Sequence, residues 1–244
     1  MEAYIKDVLN INYDDKEVTQ INFSGCNFNC PWCYTPDLLF RKEEFLVDLK
    51  DIKQSILQLT SYTKCVIFSG GEPTLQRAAL IELSLFCKEN NIEVILHTNG
   101  SKPECIEYLL KNDLITNFIL DFKSPLDENY FYKITKSSTF FINTTQIIND
   151  FKKTLILFEN YLEKINVKII TTIIPSLLFR KEDLVKIGKQ INDNWIWKLQ
   201  KFEKGNTLSK SYIDLNEPGD LFMQNLKEFL EKEFYLKTIL IDEN

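Results

Sequence analysis

The stretch that most constrains this chain is residues 23–36, Phe-Ser-Gly-Cys-Asn-Phe-Asn-Cys-Pro-Trp-Cys-Tyr-Thr-Pro. It spaces Cys26, Cys30 and Cys33 as C-x3-C-x2-C directly after the apolar-rich segment 18–23. Three thiolates on one short loop reach a single metal centre without folding the chain far. A [4Fe–4S] cluster normally takes four cysteines, so three from one loop leave one iron open to chelation by a small molecule. Structural zinc is the competing reading, because it takes four Cys or His ligands in a closed tetrahedron. Its fourth ligand would have to be Cys65, Cys87, Cys105 or His97. Each of these stands alone, without a partner at C-x2-C or H-x3-H spacing. Disulfides fit less well. Six cysteines in 244 residues, with no disulfide-dense composition, read as a reducing interior.

A chain of this length fits one large α/β domain or two small ones, and the simpler expectation is one domain over residues 1–244. Hydrophobic residues make up 44% and charged residues 26%, the balance of a soluble globular protein. No apolar run approaches the ~20 residues of a membrane span. The first residues lack the basic-then-apolar layout of a secretory signal, so a cytoplasmic location is expected. A formal charge of −6 argues against a broad nucleic-acid footprint, which wants a basic face.

Taken in order, residues 4–13 and 18–23 read as strands about the Asp14-Asp15-Lys16 turn. Apolar positions in 46–59 recur at helical spacing. Residues 65–68 form a short buried-type strand, 74–90 a helix, 93–98 a strand, 105–111 a helix and 117–121 a strand. A helix over 147–162, a β-branched strand over 167–174, a helix over 181–192 and a strand over 195–200 follow. The last helix is 220–233 and the last strand 236–241. The segment 135–145 is the least periodic and is expected to be a loop. Strands that are nearly continuous in apolar residues, alternating with helices, indicate a parallel sheet covered by helices.

Of seven glycines, Gly70, Gly71 and Gly100 fall where expected strands end, and Gly25 sits beside the cysteine loop. Ligands bind outside the carboxyl ends of the strands in such sheets. The clustering points to that rim, although glycines also punctuate ordinary turns.

With these residues in view, the chain resembles the radical S-adenosylmethionine (SAM) enzymes. The resemblance implies that SAM binds the open iron through its amino and carboxylate groups. Reductive cleavage of SAM then yields methionine and a 5′-deoxyadenosyl radical. Ser69-Gly70-Gly71-Glu72-Pro73 matches the superfamily's Gly-Gly-Glu-Pro motif, which holds the methionine amine. The glycines allow close backbone approach, and Glu72 can add a charge-assisted hydrogen bond. Trp32 stands where the superfamily places an aromatic or apolar residue near the adenine; packing beneath the loop is the alternative. His97-Thr98-Asn99-Gly100 resembles the Thr-Asn-Gly strand end of glycyl-radical activating enzymes. Pyruvate formate-lyase activators carry an Asp of a cation site where His97 stands, so the resemblance does not carry that cation over. His97 is expected to support residues that touch the ligand or simply to pack, because deoxyadenosyl radical chemistry needs no general base. Asp121-Phe122-Lys123 matches the Asp-x-Lys motif of the same activators, with Lys123 for SAM's carboxylate and Asp121 on the sulfonium or ribose side.

The match is nearest to the activating proteins of anaerobic ribonucleoside-triphosphate reductase. Lys123-Ser124-Pro125-Leu126, Tyr132-Lys133-Ile134-Thr135, Thr171-Thr172-Ile173-Ile174 and Trp197-Lys198-Leu199-Gln200-Lys201-Phe202 resemble their segments. The implied fold is α/β, an incomplete TIM-like (β/α)6 barrel of radical SAM type. The implied activity is installation of a glycyl radical on a partner such as anaerobic ribonucleotide reductase, with flavodoxin or ferredoxin as electron donor. Two alternatives stand beside it. One is a small-molecule radical SAM enzyme of the 7-carboxy-7-deazaguanine synthase kind. The other is a non-catalytic iron–sulfur electron-transfer or sensor protein. Two departures touch the partner side: Cys33-Tyr34-Thr35-Pro36 replaces Cys-His-Asn-Pro, and Lys136 replaces a glycine after Ile134-Thr135. No cysteine follows Cys105, so an auxiliary cluster of the C-terminal kind is not expected.

Overall fold

The computed structural model describes residues 1–137 and 143–241. By their internal contacts these form two compact units. The first is Met1–Asn27, Asp37–Phe118 and Lys153–Ile165; the second is Phe28–Pro36, Ile119–Lys152 and Asn166–Asn244. The division passes through the cysteine loop, between Asn27 and Phe28.

The first unit opens with an antiparallel hairpin, β1 (Glu2–Tyr13) and β2 (Lys16–Phe23). Its two-residue turn holds Asp14 at φ 50° and Asp15 at φ 59°. Positive φ at both positions is what a type I′ turn requires, and its twist matches that of the strands. The helix expected from residue 46 begins instead at Leu49. Residues 46–48 are extended as β3 (Leu46–Asp48) and pair with Glu2, Ala3 and Tyr4 of β1. Asp48 then caps α1 (Leu49–Thr63) by accepting from Lys50 N at 2.9 Å. An N-cap residue is itself extended, so the chain before it was free to join the edge of the hairpin. β4 (Cys65–Gly70) runs parallel to β2 and to β5 (Glu93–Thr98), giving the order β3-β1-β2-β4-β5. Val66, Ile67 and Phe68 are buried on both sides of the sheet. Leu49, Ile52 and Ile56 of α1 and Leu80, Leu83 and Cys87 of α2 (Arg77–Glu89) are buried in the same unit. Burying each large apolar side chain contributes about 1.5–3 kcal/mol. The helix expected from residue 74 starts later because Pro73–Gln76 form a 3-10 turn. α3 (Pro103–Lys111) follows, with Cys105, Ile106 and Leu109 buried.

In the second unit the strand order is β6 (Asn117–Asp121), β7 (Asn166–Ile173), β8 (Ile196–Lys201) and β9 (Thr238–Ile241), with β7, β8 and β9 parallel. Helices α4 (Glu128–Thr135), α5 (Thr144–Asn160), α6 (Lys181–Gly188) and α7 (Asp220–Glu233) connect them; β6 and α5 also cross the division between the units. α6 stops short of the expected residue 192, where Asn192 Oδ1 accepts from Asn194 N at 3.0 Å and competes with helical pairing. α4 has no counterpart in the sequence reading. It is capped by Asp127, which accepts from Tyr130 N at 3.0 Å. Of the expected loop 135–145, Thr135 ends α4, Thr144 begins α5, and residues 138–142 lie outside the described residues.

The α4 terminus explains the glycine expected at position 136. Lys136 is left-handed, φ 47°, with its N–H on Tyr132 O, a conformation that only glycine adopts without cost. Lys136→Gly is expected to stabilise the protein by about 0.5–1 kcal/mol, measured as a raised urea midpoint at unchanged slope.

Across the chain the succession β2-α1, β4-α2, β5-α3, β6-α4-α5, β7-α6 and β8-α7, then β9, is the expected alternating α/β pattern with parallel strands. Among the described residues no helix is long and apolar enough to cross a membrane.

Candidate functional site

In the first unit the backbone ahead of Cys26 is pinned by Gly25 N donating to Leu38 O at 2.7 Å and Cys26 N to Leu39 O at 3.0 Å. The end of β4 lies directly on this segment. Gly70 sits at φ 113°, and a Cβ there would meet Phe23 O at 2.3 Å; at Gly71 it would meet Gly25 O at 2.4 Å. Gly71 N and Glu72 N donate to Phe23 O and Gly25 O at 2.8 and 2.9 Å. These glycines therefore let two backbones touch, whereas the sequence reading assigns their close approach to the bound methionine amine.

Glu72 is 1% exposed. Its Oε1 accepts from Thr74 N at 3.1 Å, Thr74 Oγ1 at 2.5 Å and Thr98 Oγ1 at 2.7 Å, and its Oε2 from Asn99 N at 2.7 Å. Burial pushes its carboxyl above the ordinary range, and the donors from Asn99, Thr74 and Thr98 act against that. Asn99, also buried, donates from Nδ2 to Asn27 Oδ1 at 3.0 Å and accepts at Oδ1 from Ser101 N and Oγ. Asn27 donates to Ser101 Oγ at 2.8 Å. The end of β5 is thus bound to the residue after Cys26. Asn27 was not expected to matter, and its only sequence signal was a polar residue inside the cysteine loop. Ser69 Oγ and the His97 ring nitrogen Nδ1 are 3.3 Å apart.

In the second unit the rest of the loop is held at several points. Asn29 N donates to Thr135 O, Ser209 N to Pro31 O and Leu208 N to Cys33 O, at 2.8–3.0 Å. Cys30 is buried and Cys33 half-buried. Trp32 is 3% exposed and donates Nε1–H to Ile134 O at 3.1 Å. The Lys123 ammonium stands 5.1 Å from the centre of its ring. Lys123 and Asp121, two positions apart and so on one face of an extended chain, meet at 2.8 Å with 19% of each side chain exposed. Burial would push the ammonium's pKa down, but the charges of Asp121 and Cys30 outweigh it and raise the value. Tyr34 OH donates to Gln200 Oε1 at 2.9 Å, as does Thr172 Oγ1. Desolvation of the phenol raises its pKa. This trio was missed because its members are far apart in sequence.

The remaining cysteines are core residues. Burial pushes the thiol of Cys65 up to about 11 and those of Cys87 and Cys105 to about 12, which disfavours the thiolate that binds metal. Among the described residues no three His, Cys, Asp or Glu side chains are grouped as a metal site. The donor set nevertheless fits an iron–sulfur cluster: three cysteine thiols outside any disulfide on irregular backbone anchored at both ends, soft ligands of the kind that selects such clusters.

Fold and loop together define an α/β protein of the iron–sulfur class. The profile described as the radical SAM superfamily matches residues 22–187, and the chain belongs to that superfamily, whose enzymes use a [4Fe–4S] cluster and SAM. It is 28% identical over 239 residues to a Methanocaldococcus jannaschii protein named, provisionally, a glycyl-radical enzyme activating enzyme, covering 97% of this chain and 93% of that one. It is 28% identical over 204 residues to the pyruvate formate-lyase-activating enzyme of Clostridium pasteurianum, covering 82% and 77%. A 7-carboxy-7-deazaguanine synthase of Clostridium acetobutylicum is 31% identical over 137 residues, covering 52% and 56%. Among solved structures, anSMEcpe with bound AdoMet and a peptide superposes with a TM-score of 0.61 at 19% identity, over 89% of this chain and 60% of that one. This likeness shows the fold, the partial TIM barrel of radical SAM enzymes.

Proposed function

We propose that the chain, residues 1–244 as a single radical SAM domain, is a glycyl-radical activating enzyme. Its partner in this reading is a glycyl-radical protein such as an anaerobic ribonucleoside-triphosphate reductase, with a flavodoxin or ferredoxin as electron donor in the cytoplasm. The observation that carries the reading is the near full-length similarity to the M. jannaschii protein, 97% of this chain against 93% of that one. The cluster and SAM, when bound, supply a 5′-deoxyadenosyl radical able to take hydrogen from a glycine Cα. Cys26, Cys30 and Cys33 hold the cluster. Lys123, kept charged by Asp121, presents an ammonium to SAM's carboxylate, and Asp121 faces its sulfonium or ribose. Ser69, Gly70, Gly71, Glu72 and Asn99 take the methionine amine end, and Trp32 the adenine. Glu72 suits this, because among the described residues Oε2 accepts from Asn99 N alone and a carboxylate oxygen has room for two.

The second reading, a small-molecule enzyme, draws on the 31% identity to the deazaguanine synthase over about half of each chain. One labelling experiment separates the two. Reduced enzyme with SAM and a glycyl-radical partner carrying α-deuterated glycine is expected to return deuterium in 5′-deoxyadenosine and a glycyl signal in the partner's EPR spectrum. Deuterium arriving only from a labelled small molecule would give the assignment to the second reading.

A further inference from the structure

Tyr34, Thr172 and Gln200 lie wholly in the second unit and take no part in the roles above. Thr172 and Gln200 are direct partners in the β7–β8 register. Successive strand residues point to opposite faces. Trp197, edge-on to Phe234 and pressed against Gly188 of α6, marks the helix-covered face of β8, and Leu199 shares it. Gln200 therefore points to the other face, at the C-terminal end of a parallel strand, where ligands of such sheets bind.

The carboxamide is oriented there. Its Oε1 accepts from the Tyr34 and Thr172 hydroxyls, each at 2.9 Å, which uses both lone pairs. Nε2 is left turned away from both hydroxyls, with no acceptor among the described residues. Thr172 is 5% exposed and the Tyr34 hydrogen bond is half-buried. A glutamine that only meets water needs no such bracing.

We infer that Gln200 is a ligand-contacting residue whose Nε2–H donates to an oxygen of a bound reactant, with Tyr34 and Thr172 as positioning residues. That oxygen belongs to SAM or to a backbone carbonyl of the radical acceptor, and the inference deepens the reading under Proposed function on which its acceptor arm rests.

The test is equilibrium binding to cluster-loaded enzyme under anaerobic conditions, with two probes: SAM, and a capped glycine-centred pentapeptide. Gln200→Glu replaces the donor by an acceptor and is expected to raise one Kd about tenfold. A rise for SAM assigns the oxygen to SAM; a rise confined to the peptide assigns it to the acceptor. The double variant Tyr34→Phe, Thr172→Val keeps Gln200 but frees its rotation, and should raise the same Kd about threefold; it carries the comparison if Gln200→Glu does not fold. SAM affinity within about twofold of wild type, with no difference in peptide binding whether both proteins bind it or neither does, overturns the inference. A wild type that fails to label a glycine partner sinks the activating-enzyme reading and leaves the SAM arm standing.

Discussion

Cys26→Ala, Cys30→Ala and Cys33→Ala are each expected to abolish cluster incorporation and SAM cleavage, whereas Cys65→Ala, Cys87→Ala and Cys105→Ala should load iron as wild type does. Each loop substitution removes one of only three protein thiolates, and a cubane bound at two corners is held far less tightly. The other three cysteines are buried, and burial holds their thiols at about 11 and 12, well into the range where they stay protonated at neutral pH. Iron and sulfide content, the visible absorbance of the reconstituted protein and the EPR spectrum after reduction are the measurements. Iron lost from Cys65→Ala but kept by Cys33→Ala would reassign the ligands. Zinc retained in preference to iron under anaerobic reconstitution would remove the cluster altogether.

What could be read in advance follows from how local the cause was. β5 and β6 have the expected limits because each is a short apolar run between strong breakers: Asn91 with φ 54° and Gly100 around one, Asp113 with φ 49° and Pro125 around the other. The hairpin was legible from Asp14 and Asp15 alone. Leu46–Asp48 misled because its apolar residues continue the helical spacing of α1, and only the distant edge of β1 decides for a strand. The same holds at the site. The cysteines, Glu72 and Asp121-x-Lys123 stand out as residue types in a pattern. The partners that fix them do not: Thr98 and Asn99 reach Glu72 from another strand, and Tyr34 finds Gln200 across 166 positions. Hydrogen-bond partners set by register across a sheet leave no periodic trace in a single sequence.

Glu72→Gln is expected to destabilise the protein by about 3–5 kcal/mol even without SAM or cluster, because the carboxylate is an internal brace before it is a ligand. Four donors converge on its two oxygens, all from the chain. A carboxamide can keep its oxygen under the three donors at Oε1, but its NH2 then faces the backbone N–H of Asn99, donor against donor. That leaves a buried N–H unsatisfied, costing about 1–3 kcal/mol, and removes a charge-assisted bond contributing about 1.5–3 kcal/mol. The opposite flip satisfies Asn99 but sets the NH2 against the Thr74 amide instead, the two hydroxyls being able to turn and accept from it. Against a typical domain stability of about 5–15 kcal/mol, such a loss is visible in urea unfolding of the cluster-free protein at neutral pH. Because Asn99 also binds Asn27 beside Cys26, the loosened strand end should lower cluster retention in parallel with stability. An apoprotein whose unfolding free energy in urea moves by less than about 0.5 kcal/mol, together with weakened SAM binding, would show instead that Glu72 serves the ligand and that the four chain donors are incidental to the fold.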